Sequence, residues 1–445
     1  LLGCKSGVVV TASHNPKEYN GYKAYWDDGS QVVAPHDKNI IDEVNAIKTI
    51  DDIKFDGDAS KIHSIGEEVD AKYIDQILSL SISKEAIARQ KNLKIVFTPI
   101  HGTGVTLVPT LLSQMGFENV TVIAEQSEPN GNGHFPTVVY PNPEESEAMS
   151  MAVNKAKEID ADLVLGTDPD ADRVGIAVKN HHGEIQLLNG NQTATVLIYY
   201  LLQAWKEAGK LTGKEFVCKT IVTTDLIDKM AAGYGVHCYN TLTGFKYIAQ
   251  VIRELEGQQQ FIGGGEESYG YLIGDAVRDK DAIASCGMIA ELTAYAKDKG
   301  LSLFDMLMEV YKKFGFYYEG LISLTKKGKT GAEEIQQMMA DFRANPPQSL
   351  AGSPVIRIDD YKFLKRTENG ATVDIPSGSM GIESSNVLQF FTADGTKFTC
   401  RPSGTEPKIK FYVGVVGTLE KNEAFDAVYE SLKQKVKSIG KELDL

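Results

Sequence analysis

Short β-branched runs alternate with longer stretches of helical spacing through most of this 445-residue chain. Leu93–Thr98 (LKIVFT), Val120–Ala124 (VTVIA), Leu163–Gly166 (LVLG) and Phe216–Thr223 (FVCKTIVT) are short, apolar and β-branched, the composition of buried strands. Gly7–Val10 (GVVV) reads the same way. Between them, 105–115, 144–159, 192–208 and 245–255 carry apolar residues three and four apart, the period of a helix with one buried stripe. Such alternation predicts α/β layers with mostly parallel sheets. The last hundred or so residues differ. There the strand-like runs VLQFF, TKFTC and IKFYVGVV cluster and precede an amphipathic stretch from Asn422 to about Leu443, the pattern of an α+β unit.

Polar, charged residues at 51–68 read as a junction, Asn189-Gly190 as the opening of a further unit, and the basic, Gly-rich Lys326–Gly331 as the entry to the last one. The chain therefore divides as 1–55, 66–188, 189–318 and 319–445. The length agrees with about three or four domains. With 46 basic and 60 acidic residues the net charge is −14, a field that disfavours nucleic acid or an anionic membrane as partner but leaves a small phosphorylated ligand open. Five scattered cysteines without a CxxC pair suit reduced thiols and a cytoplasmic protein. No apolar run approaches the roughly 20 residues needed to span a bilayer.

Four polar loops stand out. In TASHNPKEYNGYK, the strand GVVV runs into Ser13-His14-Asn15-Pro16, with Lys23 ten residues after Ser13. A serine at a strand end is a candidate phosphoryl acceptor, and a simple polar turn is the competing explanation. Adjacent side chains on an extended backbone point apart, so Ser13 and His14 are not expected to form a nucleophile–base pair. The second loop, GTDPDADR, places Asp168, Asp170 and Asp172 at alternate positions between two apolar strands, followed by Arg173. Three carboxylates so close repel one another unless a cation compensates, and an all-oxygen set suits Mg²⁺. An aspartyl phosphatase with Asp168 as nucleophile is the rival chemistry.

The third loop, GGGEESYG, has three glycines that allow close approach to a ligand. Glu266 and Ser268 offer acceptors and a donor for sugar hydroxyls, though by these residues alone a flexible glycine turn is the stronger explanation. Thr243-Gly244, opening a helix upstream, adds a polar contact, and Lys280 lies between Asp279 and Asp281, which hold it charged, with a surface ion cluster as the competing explanation. In the fourth loop, RPSGTEP, Arg401, Ser403, Gly404 and Thr405 make a compact oxyanion cradle, with Lys408 and Lys410 close by. No GxxxxGK[ST] is present, so no nucleotide is implied.

Taken together, TASHNP, GTDPDADR, GEES and RPSGT, in this order over residues 11–407, resemble the four motif loops of the α-D-phosphohexomutases. NGYK, TGFK, RDKDA and the wording SHNPKEYNGYKAYWDDG are most similar to the longer phosphoglucomutase/phosphomannomutase branch. The resemblance covers essentially the whole chain. It implies three consecutive α/β domains with mixed sheets, the first truncated, and a C-terminal α+β domain around a central cleft. It also implies that Ser13 carries the phosphoryl group, with His14 and Lys23 beside it, and that Asp168, Asp170 and Asp172 join Ser13 in binding Mg²⁺. Arg173 then lies near the phosphoserine, and Lys280 matches a proposed general acid/base. Thr243, Gly244, Glu266 and Ser268 would read the sugar, and Arg401, Ser403, Gly404 and Thr405 would grip the non-reacting phosphate.

The implied reaction interconverts glucose 1-phosphate and glucose 6-phosphate through a 1,6-bisphosphate, with glucose 1,6-bisphosphate as activator. A phosphomannomutase or phosphopentomutase is the alternative within the family, and a silent sugar-phosphate binder the alternative outside it. Only twelve residues precede Ser13, which leads to the expectation of a first domain lacking its opening strands and a basic residue that the family places there. Oligomeric state has no sequence signal.

Overall fold

The computed structural model describes residues 2–129, 131–326, 328–403 and 407–445, the side chains of 328 and 329 excepted. The chain begins with an antiparallel hairpin, β1 (Ser6–Val10) and β2 (Tyr22–Trp26). β1 is a strand, as GVVV predicts, but it is not buried: Val8, Val9 and Val10 are 50%, 42% and 66% exposed. The sheet ends at β2, and no residue before Tyr73 joins or packs on an apolar core cluster among the described residues. What holds this hairpin against the rest is polar. Thr11 and Lys23 reach Asp170, Tyr25 donates to Asp279, Lys246 pairs with Asp37, and Arg253 with Asp28.

The next sheet contains β3 (Ile95–Thr98), β4 (Val120–Val122), β5 (Leu163–Thr167), β6 (Val174–Lys179) and β7 (Ile185–Leu188), in the order β4-β3-β5-β6-β7. Its first three strands are parallel and its last three antiparallel. β8 (Glu215–Thr220), β9 (His237–Thr241), β10 (Gln260–Gly265) and β11 (Tyr271–Ile273) form a third sheet, ordered β11-β10-β8-β9 and parallel except for β11. The predicted helices are present at Gly104–Met115, Ser146–Ile159, Gly190–Glu207 and Phe245–Glu254. Each packs an apolar stripe on a sheet, as the spacing requires.

The last sheet is antiparallel throughout. It comprises β12 (Phe316–Thr325), β13 (Ser349–Leu350), β14 (Ser353–Asp360), β15 (Lys365–Glu368), β16 (Ala371–Asp374), β17 (Leu388–Thr392), β18 (Lys397–Pro402) and β19 (Lys408–Gly417). Its order is β12-β19-β18-β17-β14-β15-β16, with β13 paired to β14. The C-terminal helix spans Phe425–Glu442. The molecule is thus a set of α/β units followed by an α+β unit, and one apolar core runs without a break from Ile74 to Ile439. A helix the spacing did not reveal, Ala282–Asp298, is buried from Ala282 to Ala296 and joins the second and third units at their centre. All five cysteines are free thiols. Among the described residues no helix is long and apolar enough to cross a membrane.

Candidate active site

Asp168 follows directly on β5 and Arg173 precedes β6, so the aspartate loop caps a tight antiparallel pair. Its shape is fixed from inside: the Asp168 carboxylate accepts from the backbone N–H of Asp172 (3.0 Å) and of Arg173 (2.9 Å). It is also fixed from outside. Thr103 N–H donates to the Pro169 carbonyl at 2.9 Å, and Ala282 N–H, at the start of the buried helix, donates to Ala171 O at 3.0 Å. The three carboxylates converge, with one oxygen of each lying within 4.8 Å of the others.

The serine loop comes to meet them. Ser13 adopts φ 53°, in the left-handed region that few non-glycine residues occupy. Its N–H is held by Thr11 Oγ1 at 2.8 Å, and Thr11 in turn donates to Asp170 at 3.1 Å. The Ser13 hydroxyl lies 3.1 Å from His14 Nδ1 and 3.3 Å from Asp168 Oδ2. The expectation that Ser13 and His14 point apart therefore fails, because the backbone at Ser13 is not extended. Burial, then the nearby Arg173 charge, depresses the His14 imidazole to about 3, so the ring is neutral.

Two lysines answer the carboxylates. Lys23 Nζ is 3.1 Å from Asp170 and 2.9 Å from Asp172, and Lys280 Nζ is 3.0 Å from Asp172 and 3.1 Å from Asp279. Burial alone would raise the Asp172 carboxyl, but Lys280 and Lys23 outweigh it and hold it at about 2. Asp168 is fully buried and pushed well up, first by burial and then by its neighbours Asp172 and Asp170. Lys280 is not part of a surface cluster: its side chain is 11% exposed. Of its two flanking aspartates only Asp279 pairs with it; Asp281 caps the buried helix through Ala284 N–H and accepts from the Tyr73 hydroxyl.

Magnesium fits this donor set. All the converging ligand atoms are oxygens, and Asp170 Oδ1 and Asp172 Oδ1 are buried without a hydrogen-bond partner. Asp168, Asp170 and Asp172, with the Ser13 hydroxyl, are the residues that could hold it.

Glu266 lies at the end of β10, buried, its carboxyl raised by desolvation. It accepts from Gly244 N–H at 2.9 Å, so the 243–244 and 266–268 loops are tied together, and Thr243 Oγ1 beside them is buried without a partner. Ser268 is half-buried in the turn that follows. The preceding glycines serve the protein rather than a ligand. A Cβ on Gly263 would meet Leu201 Cδ1 at 2.8 Å, and one on Gly264 would collide with the Cys218 carbonyl. Arg401 stands on β18 in register with Lys410 of β19, and Ser403 N–H donates to Lys408 O at 2.7 Å. Gly404 and Thr405 lie outside the described residues. The Lys410 charge adds a smaller disfavouring effect on a protonated His14, after burial and Arg173.

Sequence reasoning missed Thr11 and Tyr25. Tyr25 was readable: on a strand it shares a face with Lys23, two residues away, and its hydroxyl donates to Asp279 at 2.5 Å.

Successive α/β units that bring a serine, three aspartates and two lysines from distant stretches into one centre define a multidomain α/β enzyme. Family models of phosphoglucomutase/phosphomannomutase α/β/α domains I, II and III match residues 1–51, 71–183 and 189–314. A phosphoglucomutase of Staphylococcus haemolyticus is 35% identical over 418 residues, covering 93% of this chain and 74% of the relative. Among solved structures, Paramecium parafusin (a phosphoglucomutase, open form) aligns over 98% of this chain and 78% of its own, with TM-score 0.67 and 17% identity. The Aspergillus fumigatus N-acetylphosphoglucosamine mutase, in complex with GlcNAc-6P and magnesium, aligns over 99% and 90% with TM-score 0.54 and 13% identity. The chain belongs to the phosphoglucomutase/phosphomannomutase family of α-D-phosphohexomutases, which are isomerases.

Proposed function

We propose that this phosphohexomutase interconverts glucose 1-phosphate and glucose 6-phosphate through a phosphorylated Ser13 and a glucose 1,6-bisphosphate intermediate. The observation that carries the reading is the approach of Ser13 Oγ to Asp168, 155 residues away in sequence, at 3.3 Å. A purely structural turn has no use for a hydroxyl placed against a buried triple carboxylate.

In this reading Ser13 delivers its phosphoryl group to one sugar hydroxyl: the Oγ–P bond breaks, an O–P bond to the sugar forms, and the hydroxyl's proton leaves. The return step takes a phosphoryl group from the other end of the bisphosphate. Neutral His14 can exchange a proton with Ser13 Oγ. Lys280, an ammonium in its carboxylate cage, supplies positive charge or a proton, and Lys23 and Arg173 add charge against the phosphoryl oxygens. Magnesium on Asp168, Asp170, Asp172 and Ser13 would neutralise the transferring group. Thr243, Gly244, Glu266 and Ser268 read the hexose in both orientations, while Arg401, Ser403, Gly404 and Thr405 hold the phosphate that does not react. The four-unit division at 55, 66, 188 and 318 places one loop on each unit. The acidic surface and free thiols support a cytoplasmic enzyme of small sugar phosphates, without nucleic-acid or membrane partners.

The test is intact mass after incubation with glucose 1,6-bisphosphate, beside coupled mutase assays in Mg²⁺. The parent should gain one phosphoryl group and turn over, and Ser13→Ala should do neither while still binding glucose 6-phosphate. Undiminished turnover by Ser13→Ala sinks the reading. Comparing kcat/KM for glucose, mannose and ribose 1-phosphates settles the sugar.

A further inference from the structure

Outside the cleft, three metal-ligating side chains from two distant stretches meet at one point. His181 and His182 occupy the turn between β6 and β7, and Asp426 lies in the first turn of the C-terminal helix. His181 Nε2 is 3.1 Å and His182 Nε2 2.9 Å from the same oxygen, Asp426 Oδ2. We propose that His181, His182 and Asp426 form a second metal site, for a borderline divalent cation of the Zn²⁺ class, that joins the second unit to the last one.

Hydrogen bonds fix the backbone of the turn, and packing holds the His181 ring. Asn180 N–H donates to Glu184 O (2.8 Å) and Gly183 N–H to Asn180 O (2.9 Å). The Asn180 side-chain oxygen accepts from His182 N–H (2.9 Å) and Glu184 N–H (3.0 Å). The His181 ring stacks on Phe304 at 5.5 Å between centroids and lies 5.1 Å from Phe425, the residue before Asp426. The His181 ring is thereby packed against two core aromatics, and both histidines face one carboxylate oxygen.

With no cation, two imidazole N–H groups crowd onto a single carboxylate oxygen. A cation instead takes both Nε2 lone pairs and the carboxylate charge. The ligand atoms already lie within 4.8 Å of one another, whereas a tetrahedral Zn²⁺ with bonds of about 2.0–2.1 Å spaces its ligands at about 3.3 Å. Only a small rotation separates the two arrangements. Two nitrogens and one carboxylate select Zn²⁺, Co²⁺ or Ni²⁺ over Mg²⁺, the reverse of the all-oxygen aspartate loop. The His182 and Asp426 side chains are 57% and 63% exposed, which leaves a coordination position to solvent. Because the ligands span two units, binding selects their docked arrangement and stabilises the folded chain by mass action.

The experiment uses the tag-free chain in saturating Mg²⁺, which occupies the aspartate loop, titrated with Co²⁺ under visible absorption and with Zn²⁺ under thermal unfolding. One Co²⁺ site without thiolate charge-transfer bands is expected, together with a Zn²⁺-dependent rise in Tm. His182→Ala and Asp426→Asn, both at exposed positions, should weaken the site at least tenfold and abolish the Tm rise. Their circular dichroism and metal-free unfolding should match the parent. The proposal is overturned if the parent binds no Co²⁺ under Mg²⁺, if either variant binds it as the parent does, or if thiolate bands assign the site to a cysteine such as exposed Cys4.

Discussion

Lys23 shows how one side chain can both assemble a site and compete with its cofactor. Its ammonium bridges Asp170 and Asp172, the two aspartates whose remaining oxygens are buried and unpartnered. In Lys23→Met the carboxylates lose a cation that any bound Mg²⁺ must share them with. The Mg²⁺ concentration for half-maximal activity should therefore fall, while kcat drops about 10²-fold through lost charge against the transferring phosphoryl group. An activity titration with Mg²⁺ reads both, and a raised Mg²⁺ requirement would refute this role. At this scale the meeting of Ser13 with the aspartate loop was legible, since a hydroxyl and three carboxylates at strand ends have no packing purpose. The Ser13–His14 contact was not, because it depends on a single dihedral that no residue pattern encodes.

Several elements were read well from a clean apolar stripe or a short apolar run, though amphipathic helices such as Leu303–Phe314 were passed over. The helix Phe245–Glu254 and the strands around the aspartate loop fall within a residue or two of where their spacing puts them. The helix Ala282–Asp298 escaped because its small residues (Ala, Ser, Cys, Gly) are buried on every side, which erases the stripe that periodicity detects. β1 was misjudged for the opposite reason: an apolar run signals a strand but not what covers it. Packing between elements also sets a glycine that composition alone makes unremarkable. Gly102, after β3, lies so close to the aspartate loop that a Cβ there would meet the Pro169 and Asp168 carbonyls at 2.7 and 2.9 Å. Gly102→Ala should cost about 1–3 kcal/mol in thermal unfolding and raise the Mg²⁺ requirement, since the loop must move to admit the methyl. Unchanged Tm and Mg²⁺ dependence would show the loop to be free of this support.

Across the molecule, charge is buried at the seam between the third unit and the last. Lys397 reaches Asp225 and the Ile221 carbonyl, Lys219 pairs with Asp225 and Asp228, and Glu319 borders the same cavity of about 130 Å³. Burial pushes the Glu319 carboxyl up to about 7, against an ordinary value of 4.5. The folded state thus keeps a proton that the unfolded chain releases. Stability falls as pH rises from about 4.5 to about 7 and is level above that, a contribution of about 3 kcal/mol. Glu319→Gln should flatten the decline of Tm between those limits and make the chain more stable than the parent at alkaline pH. A variant whose Tm follows the parent's pH curve would place that proton elsewhere.

The amino-terminal hairpin has a different fate. Among the described residues it is fastened through ion pairs and hydrogen bonds, and in the proposed reaction it carries the reacting hydroxyl. Ionic strength should consequently act as a throttle: added salt loosens a polar strap that brings the hydroxyl home, so catalysis should fade at salt concentrations that leave the oily interior, and with it the melting curve, untouched.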